Sequence, residues 1–229
     1  MLLTVPTIGI AMAQESVQNV SVGIGTRLIF HSDEKRISFP VNNNLNKPAY
    51  FHARVLEKNK NKLSPFFIVS PELVEIKPGT SKSPQIIRLG GNFAEDRETL
   101  FYLQGHFLPK SERSGENDAG LNISYSIQMK LFFRPEKLKA SYDAIDDNAD
   151  KLDFMKRNGK LVVTNKSPYF FTINTLRSES FNIDVPAEQS MIDPFGEIEL
   201  DLPNQNIKSI TWTLLNDGGF STKPLTRKL

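Results

Sequence analysis

The chain has 229 residues, 39% of them hydrophobic, which is enough for one large or two ordinary globular cores and excludes a disordered chain. A formal net charge of +2, spread over scattered basic residues, gives no footprint for nucleic acid as a partner. Without cysteine, the chain has no disulfide framework, thiolate metal site or cysteine nucleophile.

Residues 1–13 are apolar and uncharged and close on Ala11-Met12-Ala13, just before the polar Gln14-Glu15-Ser16. That is the h-region and small-residue cleavage site of a secretory signal without its basic n-region, so 1–13 is read as a truncated signal peptide and the rest as an exported chain. Short runs rich in Val, Ile, Phe, Tyr and Thr follow: Val20 to Ile24, Arg27 to Phe30, Arg36 to Val41, Ala49 to Leu56, Phe66 to Ser70, Gln85 to Leu89 and Thr99 to Phe107. Their spacing, with a turn signal at Pro78-Gly79, predicts an all-β sandwich. Asn42 to Asn46 and Ser111 to Gly120 read as loops.

The segment from Leu121 to Pro135 alternates apolar and polar residues, and its apolar set (Leu121, Ile123, Tyr125, Ile127, Met129) shares one face while Lys130 points the other way. At about 3.3 Å per residue, Leu121 to Leu131 would extend roughly 35 Å, longer than most strands. It reads either as a half-buried strand of an ordinary sandwich or as a strand kept for a partner.

Beyond a boundary near Arg134 to Ala140, strands are predicted at Lys160 to Thr164, Phe170 to Leu176, Ile198 to Leu202 and Ile207 to Leu215, with a hairpin turn at Asn158-Gly159. Asp143 to Asp150 reads as a loop, and Ala144 to Met155 as a loop or a turn or two of helix. An internal echo supports two domains. Val41-Asn42 followed by Lys47-Pro48-Ala49-Tyr50-Phe51 resembles Val163-Thr164-Asn165 followed by Ser167-Pro168-Tyr169-Phe170-Phe171, the prolines lying 120 residues apart. The division is therefore 14–136 and 137–229.

No catalytic motif is present. His31, His52 and His106 are widely separated, and H-E-x-x-H, G-x-S-x-G, P-loop and G-x-G-x-x-G patterns are missing. Neither catalytic residues, a metal nor a cofactor is expected.

Five blocks, in order, resemble the periplasmic chaperones of the chaperone–usher pathway, the PapD-like proteins that assemble pili. They are Val20-Ser21-Val22 with Gly25-Thr26-Arg27-Leu28-Ile29-Phe30; Pro65 to Leu73 with Lys77-Pro78-Gly79; Asp96 to Leu103; Met129-Lys130-Leu131-Phe132-Phe133-Arg134-Pro135; and Leu215-Asn216-Asp217-Gly218-Gly219. The resemblance implies two immunoglobulin-like β-sandwich domains set at an angle around a cleft, in the periplasm. It implies a non-enzymatic role: binding pilus or fimbrial subunits by donor-strand complementation and delivering them to an outer-membrane usher.

By that likeness Leu121, Ile123, Tyr125 and Ile127 enter the subunit's groove, while Met129 helps anchor the strand in its own sheet. Arg27 and Lys130 hold the subunit's C-terminal carboxylate, with Arg27 able to grip it in a fork. Glu98, Arg134 and Asp217 match an ionic cluster tying the domains together, although Asn216 to Gly219 is one residue shorter than the family pattern. A homodimer that caps the free strand is physically reasonable. The competing reading is a secreted two-domain structural or adhesive β-sandwich.

Overall fold

Period-two alternation of apolar and polar residues dominates the chain, and the computed structural model, which describes residues 19–23, 25, 27–60, 62–109, 124–138, 143–202 and 206–229, is built from strands. The first half contributes β1 (Val20–Val22), β2 (Arg27–His31), β3 (Arg36–Ser38), β4 (Val41–Asn43), β5 (Ala49–Glu57), β6 (Phe67–Ser70), β7 (Leu73–Ile76), β8 (Thr80–Lys82), β9 (Gln85–Arg88), β10 (Thr99–Pro109) and β11 (Tyr125–Arg134). After two short 3-10 helices, Glu136–Leu138 and Asp146–Lys151, come β12 (Leu152–Arg157), β13 (Lys160–Asn165), β14 (Phe171–Arg177), β15 (Met191–Ile192), β16 (Glu197–Asp201), β17 (Ser209–Leu214) and β18 (Leu225–Lys228).

In the first half a five-stranded sheet of order β2-β11-β10-β5-β7 faces two three-stranded sheets, β1-β4-β8 and β3-β9-β6. The strand expected from Arg36 to Val41 divides at Phe39-Pro40, and its halves join different sheets: β3 pairs with β9, β4 with β1 and β8. Proline has no N–H for a ladder, so the chain changes sheets there. Between the sheets, Phe30, Phe67, Phe93, Phe101 and Phe133 pack ring on ring, with centroids as close as 4.4 Å for Phe93–Phe133 and 4.9 Å for Phe67–Phe101.

In the second half β12-β13-β16 faces β15-β14-β17-β18 across a core that contains Trp212, whose indole N–H donates to Ala149 O at 3.1 Å. The stretch read as loop or helix is a 3-10 turn followed by β12, because Leu152 and Phe154 alternate into this core. Asn158 and Gly159 both have positive φ (52° and 79°), the geometry of a two-residue hairpin turn between β12 and β13.

The internal echo has a physical basis. Asn43 and Asn165 are both fully buried. Each accepts the backbone N–H two residues on (Leu45, 3.0 Å; Ser167, 2.9 Å) and donates to the carbonyl four residues on (Lys47, 2.9 Å; Tyr169, 2.7 Å). Each also reaches a distant strand, at Ile76 O and Ile192 O. One buried amide thus closes the equivalent bend in both sandwiches.

Candidate functional site

Side-chain parity sorts the five-stranded sheet into two faces. Leu28, Phe30, Phe51, Ala53, Val55, Phe101, Leu103, Leu131 and Phe133 point into the first core. Leu56, Leu100, Tyr102 and Phe132 point out and form a separate buried cluster with Phe170 of the second half, flanked by Ile29 and Met191. Arg27, Lys130 and Arg134 share that outward face, so the sheet brings the basic residues to the junction of the two sandwiches. Parallel pairing of β11 with β2 sets Lys130 directly beside Arg27 and Arg134 beside His31.

Four charges meet in this junction. Arg134 donates to Glu98 Oε1 through Nε (3.0 Å) and Nη2 (2.7 Å), and its Nη1 lies 2.8 Å from Asp217 Oδ2. Glu98 Oε2 accepts the Phe170 N–H at 2.8 Å, and the Glu98 N–H donates to Pro168 O at 3.0 Å. The ionic trio expected from the sequence is assembled, and the shorter Asn216 to Gly219 loop still delivers Asp217.

The pairs are not surface pairs, however. The side chains of Glu98 and Arg134 are 0% and 3% exposed, so they belong to the regime in which removing one partner is costly. Burial pushes the Glu98 carboxyl above its ordinary range, while Arg134, Arg27 and the Phe170 amide pull it back.

Arg27 is the main departure. Its side chain is only 2% exposed, with Nη2 donating to Phe170 O (3.2 Å) and Nη1 to Leu215 O (3.4 Å). Its guanidinium lies 4.2 Å over the Phe132 ring, 3.9 Å from Glu98 Oε2 and, at Nε, 3.5 Å from Asp217 Oδ1. The expected fork toward an incoming carboxylate is already engaged inside the domain junction, because Phe132 and the Phe170 and Leu215 carbonyls enclose it. Burial depresses the Arg27 pKa, opposed chiefly by Glu98 and Asp217.

Lys130 differs. Two arginines and two carboxylates cancel, and among the described residues no carboxylate lies within 4.0 Å of the Lys130 ammonium. Among the described residues its Nζ reaches only the Thr172 hydroxyl of β14, at 3.4 Å. Burial holds its pKa below the usual lysine value, with repulsion from Arg27 adding to the effect. A partly buried cation without a counter-ion favours an anion. Nothing in the sequence pointed to Thr172 or to the Phe170 carbonyl.

The strand expected to be the donor runs out of the same site. β2 pairs with β11 only from Lys130 to Arg134, whereas β10 pairs along Tyr125 to Phe133. Among the described residues, Tyr125 to Met129 therefore has an unpaired backbone edge. Tyr125 is 52% exposed. Ile127 and Met129 are half-buried against the first core, Ile127 packing over Gly105, where an added Cβ would lie 2.6 Å from the Phe51 ring. Sequence reasoning gave that anchoring role to Met129 alone, and Ile127 shares it. Leu121 and Ile123 lie outside the described residues.

Of the histidines, His52 and His106 stand opposite each other on β5 and β10, rings 6.2 Å apart, with His52 on Glu72 and His106 on Ser126. His31 is remote from both.

Comparison with known proteins bears on this arrangement. The family described as pili and flagellar-assembly chaperone, PapD N-terminal domain, matches residues 21–139, and the pili assembly chaperone PapD, C-terminal domain, matches 147–225. The chain is similar to the chaperone protein FocC of Escherichia coli, 26% identical over 211 residues covering 91% of this chain and 89% of that one. It is 27% identical to the chaperone protein FimC of Escherichia coli K12 over 218 residues, 94% and 88% of the two chains. A solved structure of Salmonella enterica SafA pilin in complex with the SafB chaperone superposes with a TM-score of 0.80 at 26% identity, covering 93% of this chain and 98% of that chain. The Escherichia coli chaperone DraB gives 0.79 at 26%, with 92% and 98% covered.

Proposed function

The chain belongs to the pili-assembly chaperones of the PapD type, and from that premise we propose that it holds pilus subunits in the periplasm by lending them the first half of β11. It is an all-β, two-domain chaperone of the chaperone–usher pathway, and it works by binding, not catalysis. The domains divide near 136, each with its own sandwich. The observation that carries the mechanism is the Lys130 ammonium at the junction of the two sandwiches, with no carboxylate within 4.0 Å among the described residues, in line with the edge from Tyr125 to Met129 that is unpaired among those residues.

A subunit whose sandwich lacks a strand pairs its backbone with that edge and receives Leu121, Ile123, Tyr125 and, at the inner end, Ile127. With Ile127 already packed on the chaperone's own core, full burial of the other three side chains contributes about 4.5–9 kcal/mol before the costs of association. The subunit's terminal carboxylate docks at the Arg27–Lys130 pair. Lys130 supplies the direct contact, and Arg27, held behind it, fixes the domain junction. Glu98, Arg134 and Asp217 hold the two sandwiches at the angle that leaves Lys130 facing the cleft. Fixing the chain end sets register, since a slip of one residue would present the wrong face.

Delivery to an outer-membrane usher completes the role. An unpaired edge with an apolar side chain also favours self-capping when no subunit is bound, which sedimentation at high concentration tests: monomer alone would remove that element. The main experiment is a pull-down of the tagged chain from the periplasm of its own host. Wild type should retain a small β-rich protein in one-to-one amount, and a folded Arg27→Ala/Lys130→Ala variant should lose it. Equal retention by both, or by neither, overturns the anchor.

A further inference from the structure

The loop that joins β5 to β6 carries three lysines in alternation, and their surroundings differ. Lys58 forms an ion pair with Asp193, and Lys62 pairs with Glu57 Oε1 at 3.3 Å. Lys60 is exposed, and no carboxylate lies within 4.0 Å of it among the described residues. Its ammonium sits 4.5 Å over the ring of Tyr102.

That position is built. The loop is closed at its base by Glu57 N–H to Lys62 O (2.9 Å), and the Lys60 N–H donates to Glu57 O (2.8 Å). Lys60 adopts φ 61°, a left-handed conformation that a lysine rarely takes, and its side chain lies over Tyr102 on the outward face of the sheet. Tyr102 is the β10 partner of Lys130, as Arg27 is its β2 partner. One cross-strand row therefore reads Arg27, Lys130, Tyr102, with Lys60 above the last. The first cation is neutralised in the domain junction; the remaining two have no carboxylate within 4.0 Å among the described residues.

We propose that Lys60 is a second cation touching the bound carboxylate, so that the chain end of a subunit is held between the Lys130 and Lys60 ammonium groups above Tyr102. This rests on the docking of a chain end at Lys130 proposed above. Lys60 lies over the residue that pairs with Lys130 across the sheet, and its repulsion adds to burial and to Arg27 in lowering the Lys130 pKa, a cost that an anion between them relieves. Contact with the tyrosine face strips part of the hydration from Lys60, which is otherwise exposed.

The test uses two synthetic peptides of alternating valine and serine, identical except that one ends in a free carboxylate and the other in a carboxamide. Binding of each to the full chain is measured at low and high salt. Wild type should prefer the free carboxylate, and Lys130→Met should abolish that preference. Lys60→Met should reduce it about threefold and flatten its salt dependence, as expected for one partly screened contact. Lys60→Arg should restore it, and Lys62→Met should leave it unchanged. If Lys130→Met removes the preference while Lys60→Met leaves it intact, Lys60 is no part of the site and the docking reading stands. If wild type binds both peptides equally, or neither, the docking reading fails and the Lys60 assignment fails with it.

Discussion

Replacing Arg134 by Met tests whether the junction of the two sandwiches behaves as a buried ionic unit. The arginine donates two hydrogen bonds to Glu98 and one contact to Asp217, and the Glu98 side chain is fully buried. Among the described residues the variant leaves Glu98 with only the Phe170 N–H and a guanidinium 3.9 Å away. Stranding a buried charge in this way costs about 3–5 kcal/mol. In the double variant Glu98→Met/Arg134→Met, one positive and one negative charge leave together, and Arg27 and Asp217 remain balanced. Because exchanging a buried pair for apolar side chains is often near neutral, the double variant should lie within about 2 kcal/mol of wild type. Urea unfolding followed by the fluorescence of Trp212 and by circular dichroism measures both. A loss under about 1 kcal/mol for Arg134→Met, or a double variant as unstable as the sum of the singles, would refute the reasoning, since either is the behaviour of a surface pair.

Three further outcomes are expected. Gly105→Ala places a methyl 2.6 Å from the Phe51 ring and 3.0 Å from Ile127, so it should destabilise the first domain by about 1–3 kcal/mol by overpacking, read as a lowered Tm; an unchanged Tm would mean that Phe51 yields freely. Asp153 is hydrogen-bonded by Lys166 and Arg227, which depress its pKa; its contribution is therefore present above the ordinary aspartate value and lost as pH falls through the depressed one. Asp153→Asn should be less stable than wild type at neutral pH and converge with it in acid, and a difference that persists in acid excludes the ion pairs as the cause. Carboxylate binding raises the lowered Lys130 pKa, so affinity for a free chain end should be greatest below that lowered pKa and weaken as pH rises through it toward the ordinary lysine value; an affinity that stays flat up to the ordinary lysine value excludes Lys130 as the contact.

Much of this architecture was legible because period-two patterns carry their own geometry. The run from Thr99 to Phe107 became β10, Ala49 to Leu56 became β5, and Asn158-Gly159 turned a hairpin as its backbone preferences require. Short strands with little apolar content, such as Thr80–Lys82, left no such trace. Leu152–Arg157 was obscured by the acidic turn before it.

At the site, resemblance located the charged residues, but the state of Arg27 depended on the enclosing Phe170 and Leu215 carbonyls, which no local pattern encodes. Lys60 was equally silent. A lysine between two lysines reads as solvated surface, and only its left-handed backbone and the tyrosine beneath it distinguish it from its neighbours.

On the proposed mechanism, the apolar stripe of β11 serves two interiors with one phase. From Ile127 to Phe133 its odd-numbered side chains fill this chain's own sandwich, and at Tyr125 the same stripe emerges into the open. The chaperone's own core therefore acts as a clock for the lent segment: whichever face is presented to a subunit has been set before any subunit arrives. Substitutions upstream of Tyr125 can retune which pockets are filled, one side chain at a time. A single residue inserted between Tyr125 and Ile127 would leave the host sandwich whole and invert the face it lends.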